Sequence, residues 1–354
     1  MSDVLTIQSH KGPYPVIFAE DGLEQLNGAV PGNAHFIVDS KVAGLYRDKM
    51  ANVLNSSSVL LIDAEESNKS LDKFPAYVDH LVARQVRRDH VLIAIGGGII
   101  QDITCFLAAT MLRGIPWIFY PTTLLAQADS CIGSKSSINS GAAKNILGTF
   151  TPPNEIHLAT SFLDTLERRD VRSGVGEILK VHVIDGPDSF DVIAADYTTL
   201  FTDRTVMIRY VRRALEIKQN YIEWDEFDKG PRNIFNYGHT LGHAIETATD
   251  FSISHGIAVT IGMDMANWLA WKLGVGTEVN YRRMHETLVA NYRGNENTEI
   301  PLELFIASIS KDKKNVGENV TLILPDAEAR VFRESYPNDA AFKNLCAEYL
   351  TEHR

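Results

Sequence analysis

The run VLIAIGGGIIQDI at residues 91–103 constrains the fold most. Uninterrupted apolar residues suit a strand buried on both faces, Gly96, Gly97 and Gly98 then break it, and a helical pattern continues through Ala108. A buried strand feeding a glycine turn and a helix is the unit of a parallel α/β sheet. Glycines there let the backbone approach a ligand closely, and the helix N-terminus offers unpaired N–H groups and positive dipole to a pyrophosphate. The spacing is not GxGxxG, so the ordinary dinucleotide fingerprint is absent. On its own the turn fits a tight bend as well as a nucleotide site.

Short β-branched runs at residues 4–8, 14–18, 35–39, 59–62, 91–95 and 117–120 alternate with polar or helical stretches. This rhythm predicts a Rossmann-like α/β domain with a mostly parallel sheet over residues 1–160. Beyond it, helical patterns at 204–224, 239–249 and 258–273 predict a mainly α-helical domain over 161–354. A chain of 354 residues suits two such domains, and substrates commonly bind between them. A net charge of -11 argues against nucleic acid or an anionic membrane as partner, so an anionic substrate must be met by a local cluster of Lys and Arg. Cys105, Cys131 and Cys346 are widely spaced and lack a CxxC pairing, which points to core packing. The N-terminus has no basic region followed by an apolar stretch, and no segment reaches the roughly 18 apolar residues of a membrane span, so a cytoplasmic protein is expected.

Two further segments carry chemistry. In YPTTLLAQADSCIGSKSSINSGAAKN, Thr122 and Thr123 place hydroxyls at a strand end, and Asp129, Lys135, Lys144 and Asn145 set an acid, two cations and an amide among small residues. This favours an anion pocket in a loop beside the glycine turn. In FNYGHTLGHAIE, His239 and His243 are four apart on one helical face, His255 follows in SISHGIAV, and SGVGEILK adds Glu177 and Lys180, three apart. Three histidines and a carboxylate without a thiolate suit zinc, cobalt or a similar ion with an open position for substrate. The spacing leaves open which histidines ligate. Arg232 and Asn236 stand just upstream and Lys218 lies on an earlier helix; a guanidinium is the side chain best suited to a bidentate grip on carboxylate or phosphate.

Together GGGIIQD, RGIPWIFYPTTLLAQADSCIGSK, KNILGTF, SGVGEILK, RNIFNYGHTLGHAIE, HG and DKK resemble the 3-dehydroquinate synthase and sugar phosphate cyclase family, in order, across roughly residues 35 to 325. The resemblance implies Glu177, His239 and His255 as metal ligands and moves His243 to the substrate pocket. It implies active-site roles for Asp129, Lys135, Asn145, Lys180, Lys218, Arg232 and Asn236, and for one lysine of the DKK segment, Lys313 rather than Lys314. Arg113 would reach the neighbouring subunit's site, which implies a homodimer. For NAD it implicates Asp39, Glu66, Lys69, Gly97, Gly98, Ile99, Asp102, Thr122 and Thr123, with Lys144 near cofactor and substrate.

The expected function is conversion of the seven-carbon keto acid phosphate DAHP to 3-dehydroquinate with loss of phosphate, using catalytic NAD and a divalent metal. Alternatives are a cyclase for amino-DAHP or a sedoheptulose 7-phosphate type substrate, a metal-dependent polyol dehydrogenase, and a nucleotide-binding pseudoenzyme. Gln101, Val181-His182, Ile257, Ser134 and Ala143 depart from the residues usual in the family, while Arg232 and Asn236 favour an acid substrate.

Overall fold

The structure is a computed structural model that describes residues 3–141, 143–311, 315 and 319–354. The chain forms two compact units, one of residues 1–166 and 218–228, the other of residues 167–217 and 229–354.

In the first unit a seven-stranded sheet is built from β1 (Asp3–Ile7), β2 (Tyr14–Phe18), β3 (Ala34–Asp39), β4 (Val59–Ile62), β5 (Val91–Gly96), β6 (Trp117–Pro121) and β9 (Glu155–Leu158), in the order β1-β2-β9-β6-β5-β3-β4. All neighbours run parallel except β1 and β2. Phe36, Val38, Ile93 and Ile95 from the neighbouring strands β3 and β5 are buried, as the unbroken apolar runs require. From β3 the chain steps to β4 on one side and returns to β5 on the other. Open α/β sheets bind ligands in the crevice at the carboxyl ends of strands where the order reverses in this way. That crevice lies between Asp39, which ends β3, and Gly96, which ends β5.

The segment expected to be a loop after β6 is instead ordered into a π-helical turn, Ala126–Ser130, and an antiparallel hairpin of β7 (Lys135–Ser140) and β8 (Ala143–Phe150). Its small polar residues give little strand signal, and Gly141, at φ +56, makes the reversal that glycine tolerates. Residues 218–228 join this unit through Gln219 Nε2 to the Thr6 carbonyl (2.9 Å) and the His10 N–H to Glu226 (2.7 Å).

The second unit is mainly helical and includes a β-hairpin, Asn319–Pro325 with Val331–Pro337. Besides α1 (Gly98–Thr110) of the first unit, the helices that matter are α2 (Arg168–Asp185), α3 (Arg204–Trp224, which runs through both units), α4 (His239–Ala248) and α5 (His255–Lys272). Almost all of α5 is buried. Its Asp264 is satisfied by Tyr349 (2.7 Å), Tyr292 (3.3 Å) and His285 (3.0 Å), which accounts for a carboxylate with no exposure. Cys105, Cys131 and Cys346 are buried free thiols, in keeping with core packing. No helix among the described residues is long and apolar enough to cross a membrane.

Helices α2, α4 and α5 meet through glycine. A Cβ on Gly256 would stand 1.8 Å from the Ser173 carbonyl oxygen, and one on Gly176 would stand 2.3 Å from that of Gly256. Gly256→Ala is therefore expected to destabilise the protein by about 3 kcal/mol or more in urea unfolding, because the obstacle is backbone. Gly44, exposed in a short helix with nothing within 4 Å of its virtual Cβ, is the control; Gly44→Ala should be neutral or about 0.5–1 kcal/mol stabilising. Equal effects of the two substitutions would contradict the close approach.

Candidate metal centre and dinucleotide turn

The glycine turn is dictated by space. A Cβ on Gly96 would lie 2.5 Å from Ile100 Cγ1, and one on Gly97 would lie 2.9 Å from Thr123 Cγ2. Thr122 N–H bonds the Gly96 carbonyl (3.0 Å), so the hydroxyl residues after β6 border the turn. Gly98, Ile99 and Asp102 form the opening of α1. Asp39 caps the helix after β3 by accepting from Lys41 N (2.8 Å), and burial raises its carboxyl above the usual range.

Glu66 and Lys69 occupy a 3₁₀ turn after β4. Lys69 Nζ bonds Asp102 (3.1 Å) and Asn145 (3.0 Å) and lies 3.5 Å from Glu66. Asp102 also accepts from Ser137 N (3.0 Å); burial raises its carboxyl while Lys69 pulls it back. The hairpin thus brings Asn145, at φ +50, to Lys69, which the resemblance implicated in dinucleotide binding. Lys144 beside it is exposed, as is Arg113, which lies after α1 at φ +69.

Asp129 on the π-helical turn holds Lys218 Nζ twice, through its carboxylate (2.6 Å) and its carbonyl (2.5 Å). Lys135 pairs with Asp228, a residue the sequence reading passed over. Its place at the head of the turn leading to Arg232 was the available signal.

In the second unit Glu177 and Lys180 face each other on α2, 1% and 2% exposed with side chains 2.5 Å apart. Gly238, in the left-handed conformation at φ +73, starts α4 and turns the Tyr237 carbonyl onto His239 Nδ1 (3.2 Å). His255 Nδ1 meets Glu246 (3.1 Å). With the Nδ1 atoms engaged, the Nε2 atoms of His239 and His255 stand 3.7 and 3.4 Å from the same oxygen, Oε1 of Glu177. Atoms bound tetrahedrally at about 2.1 Å from zinc lie about 3.4 Å from one another, so the donors have the spacing of tetrahedron edges. Acceptors behind the histidines are the outer partners that fix ring orientation in metal sites. Glu246 was also passed over, although it lies seven residues after His239 on the same helical face.

His243 completes a cluster in which the three histidines' ligand atoms lie within 4.8 Å of one another. It is the exposed member, its ring stacked on His255 at 5.5 Å. Arg232 is buried and Asn236 donates to the Asn233 carbonyl (3.0 Å), in a turn whose Phe235 ring lies 5.7 Å from Lys180 Nζ. Lys313 and Lys314 lie outside the described residues.

Charge at the centre is tightly coupled. Burial opposes ionisation of Glu177, but Lys180 and His255 outweigh it and hold the carboxyl well below the usual range. Burial likewise opposes a charged His255, but Glu177 and Glu246 push its ring up to about 10. An imidazole must lose its proton to bind a metal. Since this group keeps its proton up to about pH 10, metal binding at pH 8 must expel it. Apparent metal affinity should therefore rise on the order of tenfold per pH unit from 7 to 9 in chelator competition, and less steeply in Glu246→Gln. A flat profile would contradict the coupling. His239→Ala should lose stoichiometric metal, and unchanged metal content would refute its assignment.

The models described as 3-dehydroquinate synthase N-terminal and 3-dehydroquinate synthase C-terminal match residues 59–173 and 174–315. The chain is 33% identical over 334 residues to the 3-dehydroquinate synthase of Thermoanaerobacter sp. (strain X514), covering 91% of this chain and 94% of that one. It is 31% identical to that of Bartonella tribocorum (strain CIP 105476 / IBS 506), covering 99% of each. Among solved structures, a 2-epi-5-epi-valiolone synthase from Streptomyces hygroscopicus subsp. jinggangensis 5008, with NAD+ and Zn2+ bound, superposes with a TM-score of 0.82 at 26% identity over 96% of each chain. A 2-deoxy-scyllo-inosose synthase complexed with carbaglucose-6-phosphate, NAD+ and Co2+ shares the fold, with a TM-score of 0.83 at 23% identity over 99% of this chain and 100% of that one. The glycine turn, the histidines around the buried Glu177 and these matches across both halves of the chain together show that it belongs to the 3-dehydroquinate synthase family.

Proposed function

We propose that this chain is a carbon–oxygen lyase that converts DAHP to 3-dehydroquinate with release of inorganic phosphate. The observation that carries the reading is the donor set of Glu177, His239 and His255, with the buried Arg232 in the same unit. The three donors fit a divalent ion such as zinc or cobalt, and the crevice bordered by Asp39, Gly97, Gly98, Ile99, Asp102, Thr122 and Thr123 fits NAD, with Glu66 and Lys69 nearby. When bound, these groups supply a Lewis acid for a substrate hydroxyl and a reversible hydride acceptor.

The chain's own residues do the rest. Arg232 can clasp the substrate carboxylate with two parallel N–H bonds, with Asn236 beside it. Lys135, Asn145, Lys218 and a lysine of the DKK segment supply charge and donors for phosphate and hydroxyls, and Asp129 orients Lys218. Lys180 keeps Glu177 ionised, so it stays available as a ligand. His243, the exposed histidine, serves the substrate side. The enzyme works in the cytoplasm as a homodimer, with Arg113 completing the partner's site; the exposed turn that carries it supports this.

A cyclase for another sugar phosphate is the second reading, favoured by the departures at residues 101, 182 and 257. Two of these are packing residues. His182 is buried with Nδ1 on the Ile178 carbonyl (2.8 Å) and its ring edge on Tyr210, and Ile257 is buried in α5. They therefore weigh little against an acid substrate.

Purified protein given DAHP, NAD and zinc or cobalt should release phosphate with no net NADH, because the hydride returns each turnover. Net NADH would indicate a dehydrogenase, and no phosphate with any metal would sink the reading. Mass spectrometry of the ring product from a substrate panel separates DAHP from other sugar phosphates. Arg232→Ala should lower kcat/KM for DAHP at least about a hundredfold, the worth of two charge-assisted hydrogen bonds.

A further inference from the structure

Gln101 is buried, 5% exposed, in the first turn of α1 directly after the glycine turn. Its amide closes a ring with one residue. Nε2 donates to the Ser130 carbonyl (2.6 Å), and Oε1 accepts from the Ser130 hydroxyl (2.7 Å). Ser130 ends the π-helical turn whose preceding residue, Asp129, holds Lys218 through carboxylate and carbonyl. The peptide joining Asp129 to Ser130 thus carries the carbonyl that binds Lys218 at one end, while Gln101 grips the residue at the other. The start of the same turn is fixed separately by Gln127 Nε2, which donates to the Pro121 (3.0 Å) and Ala159 (2.9 Å) carbonyls. π-turns are uncommon and frequent at functional sites, and this one is held by a buried amide at each end.

We infer that Gln101 is a positioning residue that sets the Asp129–Lys218 pair against the dinucleotide turn, so that the lysine meets the sugar phosphate in one fixed geometry. Truncating the amide takes the partner from the Ser130 carbonyl and hydroxyl in a half-buried place, and the turn is then free to shift to pair them elsewhere. The lysine's role toward substrate rests on the function proposed above; the positioning itself does not.

Two readouts on the full-length protein separate these. Amine labelling of Lys218, quantified by mass spectrometry, needs no substrate: Gln101→Leu, close in volume, should make Lys218 at least fivefold more reactive, with melting temperature recorded to confirm folding. In steady-state assays Gln101→Leu should lower kcat/KM for DAHP about tenfold while KM for NAD changes less than twofold. Ser130→Ala, which removes only the hydroxyl bond, should lower kcat/KM about threefold, and adding it to Gln101→Leu should cost nothing more, because that bond is already gone; it carries the test if Gln101→Leu does not fold. Unchanged Lys218 labelling, or a loss in NAD affinity equal to the loss in kcat/KM, overturns the inference. Altered labelling in a protein that does not turn over DAHP overturns the proposed substrate and leaves the positioning role standing.

Discussion

The candidate metal centre depends on backbone meeting backbone between helices. Gly176 precedes Glu177, Gly256 follows His255, and Gly238 precedes His239, so each donor sits beside a glycine at a point where no Cβ fits. A Cβ on Gly262 would likewise stand 2.2 Å from the Gly238 carbonyl. Contact at this range leaves the donors no freedom to drift apart along or around their helices. The placement of the side chains is a property of the packing more than of the side chains themselves.

That packing has an electrostatic consequence. Taking Glu177 and Lys180 out of water costs several kcal/mol per ion, and a single ion pair often fails to recover it. His239 and His255 aim their Nε2 atoms at the same carboxylate oxygen, and Glu246 draws a proton onto His255. A divalent cation would resolve this arrangement, since it would replace a proton with two charges among donors already in place. The first unit repeats the theme with separate pairs: Lys69 with Asp102, Lys218 with Asp129, and Lys135 with Asp228. Each holds a cation in a set position.

Much of this was legible in the sequence. The apolar run into Gly96–Gly98 announced the parallel sheet, because only a strand buried on both faces needs such a run. The four-residue spacing of His239 and His243 announced a shared helical face. The choice among the histidines was not legible in their spacing and came only from the family resemblance, since physically it depends on what stands behind each ring, the Tyr237 carbonyl for His239 and Glu246 for His255. The hairpin that carries Lys135 and Asn145 was hidden by its serines, alanines and glycines, which read as loop. Asp228 was missed because a lone carboxylate in a turn declares its partner only in three dimensions. Gln101 was visible as a departure, but its grip on Ser130 depends on a π-helical turn that no periodicity reveals.

The central claim is that one carboxylate and two imidazoles, those of Glu177, His239 and His255, bind the divalent ion. X-ray absorption at the metal edge of the cobalt-loaded full-length protein, joined to anomalous scattering from its crystals, tests this directly. The account predicts one ion per chain at full occupancy, bound by a carboxylate oxygen of Glu177 and by Nε2 of His239 and His255, with His243 outside bonding distance. A shell of three imidazoles without Glu177, or an ion held elsewhere in the chain, would contradict it.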